Sequence, residues 1–270
     1  MHQHAVESDA ITLPDGTRLP YAATGDAGGT PVVLLHGLSD SWRSWAEVLE
    51  LLPRSIHAHA LTLRGHGDAD APESGYELVE LADDVAAAMD RLRLDRAVVV
   101  GHSLGAAVAA RVAERHRERV AGLVLVGAFA TPASNPGVAE LAEMVSAFED
   151  PVPREVIEEF QRSTITAPVS DELFEMVVTE SAKLPVHVWK AATRGFVDGD
   201  HRGALASISA RTMLIWGDQD AFVPRSDQDL FVTAMPRAEL VVYEGVGHAV
   251  QWERPDMFAA DLARFVAQLR

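Results

Sequence analysis

The stretch that decides the reading is Asp95–His116, DRAVVVGHSLGAAVAARVAERH. Its centre is Gly101-His102-Ser103-Leu104-Gly105, a serine between two glycines. By composition, G-x-S-x-G arises by chance about 0.07 times in a chain of this length, so its surroundings must carry the argument. "AVVV" before it reads as a buried strand. "LGAAVAARVAERH" after it reads as a helix, with Leu104, Val108 and Val112 on one face. A strand that reverses into a helix this abruptly crowds its own backbone, and only a hydrogen side chain fits there. Such a turn holds the serine in a strained conformation and pushes its hydroxyl outward. The helix start aims free N–H groups at anything bound there. The same residues also suit an ordinary helix-capping serine with glycine neighbours, so the rest of the chain must supply the partners of a nucleophile.

Outward from this stretch, short apolar runs alternate with amphipathic ones. Pro31–Gly37, Ser55–Leu63, Arg96–Gly101, Ala121–Gly127, Arg211–Gly217 and Ala238–Gly245 are rich in valine and leucine and mostly bounded by glycine. Runs of this kind predict buried parallel strands. Between them, Leu78, Leu81, Val85, Ala88 and Leu92 follow the spacing of one helix face, and Phe258, Leu262, Phe265 and Leu269 mark a C-terminal helix. Asp83, Asp84 and Asp90 fall off the first stripe and read as a solvated face. "DAITLPDGT" and "RLPYAATGD" predict a hairpin joined near Asp15-Gly16, forming an antiparallel edge. The whole reads as an α/β fold, a mainly parallel sheet with helices on both faces. Between Thr131 and His201 the rhythm breaks. Prolines 132, 136, 151, 153, 168 and 185 punctuate helical pieces, and no strand-like run appears. The expected organisation is a core of residues 1–130 and 202–270, with residues 131–201 inserted as a helical unit.

Bulk properties bound the function. A chain of 270 residues, 48% apolar and 23% charged, suits a soluble globular protein able to bury a substantial core. It has no cysteine, which excludes disulfides, a thiol nucleophile and thiolate metal sites. The net charge of −17 repels phosphate backbones, so no nucleic-acid partner is expected. "MHQHAVESDA" has neither a basic n-region nor an apolar h-region, and no apolar run approaches the roughly 20 residues of a bilayer span. A cytoplasmic location with no membrane partner is the expectation. Lysine occurs only at 183 and 190, the other basic residues being arginine.

A serine hydroxyl is a weak nucleophile and needs a base oriented by a third group. In an open parallel sheet, ligands bind beyond the carboxyl ends of the strands. After "TMLIW" comes Gly217-Asp218-Gln219-Asp220-Ala221-Phe222-Val223-Pro224, and after "LVVYE" comes Gly245-Val246-Gly247-His248. A carboxylate and a histidine thus fall where the chemistry requires them, in the order Ser, Asp, His. Other histidines read as structural. His57 and His59 have the spacing of paired ligands on one strand face but lack a third donor. His116, His187 and His201 read as surface or structural residues. His2 and His4 lie in the N-terminal stretch, and His102 reads as a support for the turn. No metal or organic cofactor is implied.

With these residues in place, the chain resembles the α/β-hydrolase superfamily over essentially its whole length. The resemblance implies Ser103 as nucleophile, His248 as base and Asp220 as orienting acid, because the pattern G-x-x-D favours Asp220 over Asp218. Some relatives carry the acid after the preceding strand, which here reads "VGAFATP" and has no carboxylate. The H-G-x pattern at His36-Gly37-Leu38 implies that the backbone N–H of Leu38 joins that of Leu104 in an oxyanion hole. His36 would brace that loop. "LTLRGHGDAD" resembles the family's D-x-R-G-x-G-x-S loop, with Thr62 in place of the aspartate and Ala69 in place of the serine. Ala106 replaces a frequent glycine.

The insertion resembles the helical cap of many relatives. Its large apolar residues are Met144, Phe148, Phe160, Phe174, Met176, Trp189 and Phe196. Trp42, Phe129, Met144, Phe148 and Trp189 are the expected substrate-pocket residues, with Trp45 a further candidate at the border.

Haloalkane dehalogenases and epoxide hydrolases place aspartate at the elbow, so Ser103 argues against both. The expected partner is a small, largely apolar ester or lactone cleaved through an acyl-enzyme. Carbon–carbon bond hydrolases of ring-cleavage products, cofactor-free perhydrolases and a non-catalytic binder are the alternatives. "GHAVQWERPD" resembles the first of these, although Ala249 stands where they often have tryptophan.

Overall fold

The structure is a computed structural model that describes residues 6–199 and 205–269. His2, His4 and His201 lie outside the described residues. The eight strands among the described residues are β1 Glu7–Thr12, β2 Arg18–Thr24, β3 Thr30–Leu35, β4 Ile56–Leu61, β5 Ala97–His102, β6 Val120–Val126, β7 Thr212–Gly217 and β8 Ala238–Tyr243. They form one sheet in the order β1-β2-β4-β3-β5-β6-β7-β8. β1 and β2 pair antiparallel through Glu7↔Ala23 to Thr12↔Arg18, and β2 is antiparallel to β4. Every other neighbour pair is parallel. The expected hairpin edge and parallel α/β sheet are both present.

Among the described residues ten α-helices accompany the sheet: α1 Ala46–Leu51, α2 Leu78–Arg91, α3 Leu104–Arg115, α4 Pro136–Ser146, α5 Arg154–Ser163, α6 Asp171–Ser181, α7 Val186–Asp198, α8 Arg225–Ala234, α9 Val250–Glu253 and α10 Pro255–Ala267. The pleat divides the core into two layers. Val33 and Leu35 of β3 join Val99, Leu123 and Leu125 beneath α2 and α3. Val32 and Leu34 join Val98, Val100, Val124 and Val126 beneath α1 and α10. Central strands buried on both sides need apolar residues at every position, which is why their sequences run without alternation.

One expectation on α2 fails. Asp83 and Asp90 are exposed, but Asp84 is buried, with Arg64 bonding to its carboxylate through Nε and, at 2.6 Å, through Nη2. Periodicity reports apolar faces only, and the buried arginine that calls Asp84 inward comes from another loop.

Between β6 and β7 lie α4 to α7 and no strand among the described residues. These helices build an apolar cluster together with Tyr76, in which Phe148 and Phe160 both meet the Trp189 ring edge-on, at 5.5 and 5.7 Å. None of the described helices is long and apolar enough to cross a membrane.

Candidate active site

The turn from β5 into α3 is as tight as its glycines suggest. Ser103 sits between the two elements with φ 53° and ψ −115°, a left-handed φ that costs a non-glycine residue roughly 1–3 kcal/mol. Its N–H donates to Val126 O at 2.9 Å. A Cβ at Gly101 would stand 2.0 Å from Gly105 O, and one at Gly105 would stand 2.4 Å from Leu35 O. No side chain fits either place, so the end of β3, the end of β5 and the start of α3 share one crowded point. Leu104 opens α3, so its N–H has no acceptor within the helix.

His248 follows β8, and its Nδ1 lies 2.8 Å from Asp220 Oδ2. A carboxylate only accepts, so Nδ1 carries a proton, and Nε2 is the nitrogen left to accept in the neutral tautomer. The Asp220 carboxyl is fully buried. Its Oδ1 accepts the N–H groups of Phe222 and Val223 at 2.8 and 2.9 Å, which fixes its direction. Asp218 points elsewhere: its Oδ1 accepts the Gly245 N–H at 2.7 Å. Of the two aspartates in the loop, Asp220 is the one brought to the histidine. Gly127, with φ 54°, makes room for the ring, since a Cβ there would stand 2.9 Å from both Cε1 and Nδ1 of His248.

Two further histidines brace these loops. His36 Nδ1–H donates to Gly37 O at 2.7 Å, and Nε2 accepts the Leu63 N–H at 3.0 Å. Burial holds its pKa well below the usual value, so it stays neutral. His102 Nε2–H donates to the His248 carbonyl at 3.1 Å, and burial likewise keeps it neutral. Glu253 ties the His248 loop to the chain after α5 by accepting the N–H groups of Gly247, Thr166 and Ala167.

Ser103, His248, Leu38, Leu104 and Phe129 line one cavity beneath the inserted helices. Of the five expected pocket residues only Phe129 lines it. Phe148, Trp189 and Met144 are drawn into the apolar cluster that includes Tyr76. Trp42 lies against the core between β3 and α1, with Arg43 stacked on its ring and its N–H donating to Thr62 Oγ1 at 3.2 Å. Trp45 is fully buried against Phe258. Large apolar size alone does not separate a lining residue from a packing one. Phe160 and Phe196, which the sequence placed among the large residues of the insertion, do line the cavity. Phe222, Trp252, Asp40 and Gln161 line it too and were not foreseen. Phe222 lies two residues after Asp220 and Trp252 four after His248, so nearness to those residues was the available signal.

The cavity surface is mainly apolar, and no arginine or lysine lines it among the described residues. His57 and His59 pack edge to face at 4.3 Å on β4, away from this cavity. No group of three metal-ligating side chains occurs among the described residues.

A mostly parallel eight-stranded sheet with a serine elbow after β5 and a histidine after β8 defines a class. The chain belongs to the α/β-hydrolase fold family, whose sequence profile matches residues 30–255. It is 30% identical to a non-heme chloroperoxidase of Streptomyces lividans over 95% of this chain and 98% of that one. It is 27% identical to 2-hydroxymuconate semialdehyde hydrolase of a Pseudomonas species, over 90% of this chain and 89% of the relative. Among solved structures it is similar to the esterase RhEst1 from a Rhodococcus species. That likeness has a TM-score of 0.86 and 27% identity, covering 97% of this chain and 99% of the esterase.

Proposed function

We propose that the protein is a serine hydrolase that cleaves a small, neutral, largely apolar carboxylic ester or lactone through an acyl-enzyme. The observation that carries the reading is the His248–Asp220 hydrogen bond in a cavity shared with Ser103, itself held at a left-handed φ on the elbow. In this reading His248 Nε2 takes the Ser103 proton as the hydroxyl oxygen attacks the carbonyl. The N–H groups of Leu38 and Leu104 stabilise the oxyanion, each donor contributing roughly 3–4 kcal/mol to the barrier reduction. His248 then protonates the leaving alcohol, and a water activated by the same nitrogen releases the acid. Asp220 holds the tautomer and balances the imidazolium. Helices α4 to α7 serve as a cap that carries substrate preference through Phe160 and Phe196.

The cavity chemistry favours esters over carbon–carbon cleavage. Dienones from ring cleavage carry a carboxylate, and a buried carboxylate needs a cation or several donors. Neither arginine nor lysine lines this cavity among the described residues, and Asp40 adds an acid to it. The test is turnover of nitrophenyl esters, lactones and ring-cleavage dienones by the wild type and Ser103→Ala. Short- to medium-chain esters or lactones should be hydrolysed, and the substitution should abolish the activity. Ester turnover that survives Ser103→Ala would refute the assignment; a preference for dienones would move it to carbon–carbon hydrolysis.

A further inference from the structure

A second carboxyl group lies in this cavity. Asp40, in the turn after β3, is 3% exposed and lines the same space as Ser103 and His248. Its neighbours come from both parts of the molecule. Gln161 Nε2 of α5 donates to Asp40 Oδ1 at 3.2 Å, to Ser39 Oγ at 3.3 Å and to Ser181 Oγ of α6 at 2.6 Å. Ser39 and Ser181 hydroxyls are 3.0 Å apart. On the other side, Asp40 Oδ2 is 3.1 Å from the point where a Gly37 Cβ would stand, so the carboxyl lies against the backbone of Gly37. Ser39, between them, holds a left-handed φ of 66° although it is not glycine. The turn that presents the Leu38 N–H is thus strained at one residue and gripped by a buried carboxyl at the next.

No arginine or lysine is paired with Asp40 among the described residues. Glu180 of α6, the nearest other acid acting on it, is met by Lys183 at 2.8 Å and Arg43 at 3.5 Å. The charged and titratable groups facing Asp40 are therefore Glu180, His248 from the loop after β8, and neutral His102 from the end of β5, which shares the Gly37 contact. Burial pushes the Asp40 carboxyl up to about 7, against the pull of the Gln161 amide, the Gly37 N–H and His248. A buried acid without a cation is costly to the fold. Asparagine or serine would satisfy Gln161 at less expense, so stability does not account for the acid at this position.

Resting on the serine-hydrolase reading above, we infer that Asp40 is a positioning residue. Its carboxylate, clamped between the Gly37 backbone and Gln161 of α5, fixes the turn so that the Leu38 N–H faces the Ser103 site, and joins that turn to the inserted helices. The anionic form does this, because both clamping groups are donors and protonation gives up an acceptor.

The experiment follows covalent labelling of Ser103 by a fluorophosphonate between pH 5 and pH 9, which reads nucleophile and oxyanion hole whatever the natural substrate. The proteins are wild type, Ser103→Ala, Asp40→Asn and Gln161→Leu, each with a thermal melt at every pH. Asparagine has one acceptor oxygen where the carboxylate has two and cannot accept from both Gln161 and the Gly37 N–H, so labelling at pH 8 should fall by about tenfold or more. The acid limb of the wild-type profile should contain two coupled ionisations and be steeper than first order, and Asp40→Asn should reduce it to one. Gln161→Leu removes a donor to the anion and should move the Asp40 ionisation to higher pH. The melt supplies the sign. An acid whose folded pKa is raised from 3.8 to about 7 costs the fold stability as pH rises across that interval, and the loss is complete once pH has passed about 7. The melting temperature of Asp40→Asn relative to wild type should therefore rise by several degrees, about 5 °C, from pH 5 to pH 8. Labelling of Asp40→Asn within twofold of wild type with the same acid limb would overturn the inference and leave the hydrolase reading intact. Wild type that is not labelled at Ser103 would overturn that reading, and this inference with it.

Discussion

Replacing Asp220 by asparagine is a sharp test, because the surroundings dictate which way the amide must turn. Asp220 Oδ1 accepts two backbone N–H groups, from Phe222 and Val223, while Oδ2 faces His248 Nδ1. Asparagine has one acceptor oxygen and one donor nitrogen. With the nitrogen at the Oδ1 site it would oppose two donors at once, so the oxygen takes that site and the NH2 group faces the imidazole. His248 Nδ1 must then accept, and the ring proton moves to Nε2, the nitrogen required to receive the Ser103 proton. The imidazolium that forms during attack also loses its counter-charge. In serine proteases of the same constellation this wrong tautomer lowers kcat by about 10⁴. That factor corresponds to about 5.5 kcal/mol of barrier. The same loss is expected here, with KM nearly unchanged because the cavity walls do not move. Nitrophenyl ester kinetics under saturating substrate measure it, and Asp218→Asn at the neighbouring exposed position serves as the control. Both backbone bonds to Oδ1 survive in the variant, so its melting temperature should stay close to wild type, which separates lost chemistry from lost fold. A kcat for Asp220→Asn within tenfold of wild type would refute the roles given to Asp220 and His248.

Other substitutions probe the supports. Gly127→Ala places a methyl 2.9 Å from the His248 ring at a left-handed φ; it should lower kcat by about tenfold or more, and unchanged ester kinetics would show that the ring has room to move. Arg64→Met strips the cation from buried Asp84 and should destabilise the fold by about 3–5 kcal/mol, seen as a lower urea midpoint. Phe160→Ala removes an aromatic wall of the cavity. The preferred acyl chain should lengthen across a nitrophenyl ester series, and an unchanged preference would place the acyl group elsewhere.

The parts of this molecule legible in its sequence are those settled by local chemistry. Strands such as Val120–Val126 announce themselves because a strand covered on both faces admits only apolar residues. The hairpin at Asp15-Gly16 and the elbow at Ser103 are dictated by glycine and by short-range crowding. Asp220 and His248 could be sought where they lie because parallel strands put their loops at one edge. What escaped the reading depends on neighbours distant in the chain. Asp84 points inward because Arg64 is there to meet it. Trp189 leaves the cavity because Phe148 and Phe160 close around it. Asp40 gains its setting from Gln161, more than a hundred residues away, and no spacing rule connects them. The hydrophobic inventory of the insertion named Phe160 and Phe196 alongside Phe148 and Met144, and only packing could sort them.

The four inserted helices leave the sheet at the end of β6 and return at the start of β7, strands that are direct neighbours paired from Leu123↔Thr212 to Val126↔Ile215. Because the two strands are parallel, the excursion leaves at one edge of the sheet and re-enters at the other, and the pairing fixes its two ends relative to each other. For a flexible excursion, loop-closure entropy rises only logarithmically, so doubling its length costs about 0.6 kcal/mol. The molecule is in this sense a socket: Ser103, Asp220 and His248 all lie on the wall that the sheet fixes, and the fitting laid over them is anchored to it by contacts such as Gln161–Asp40.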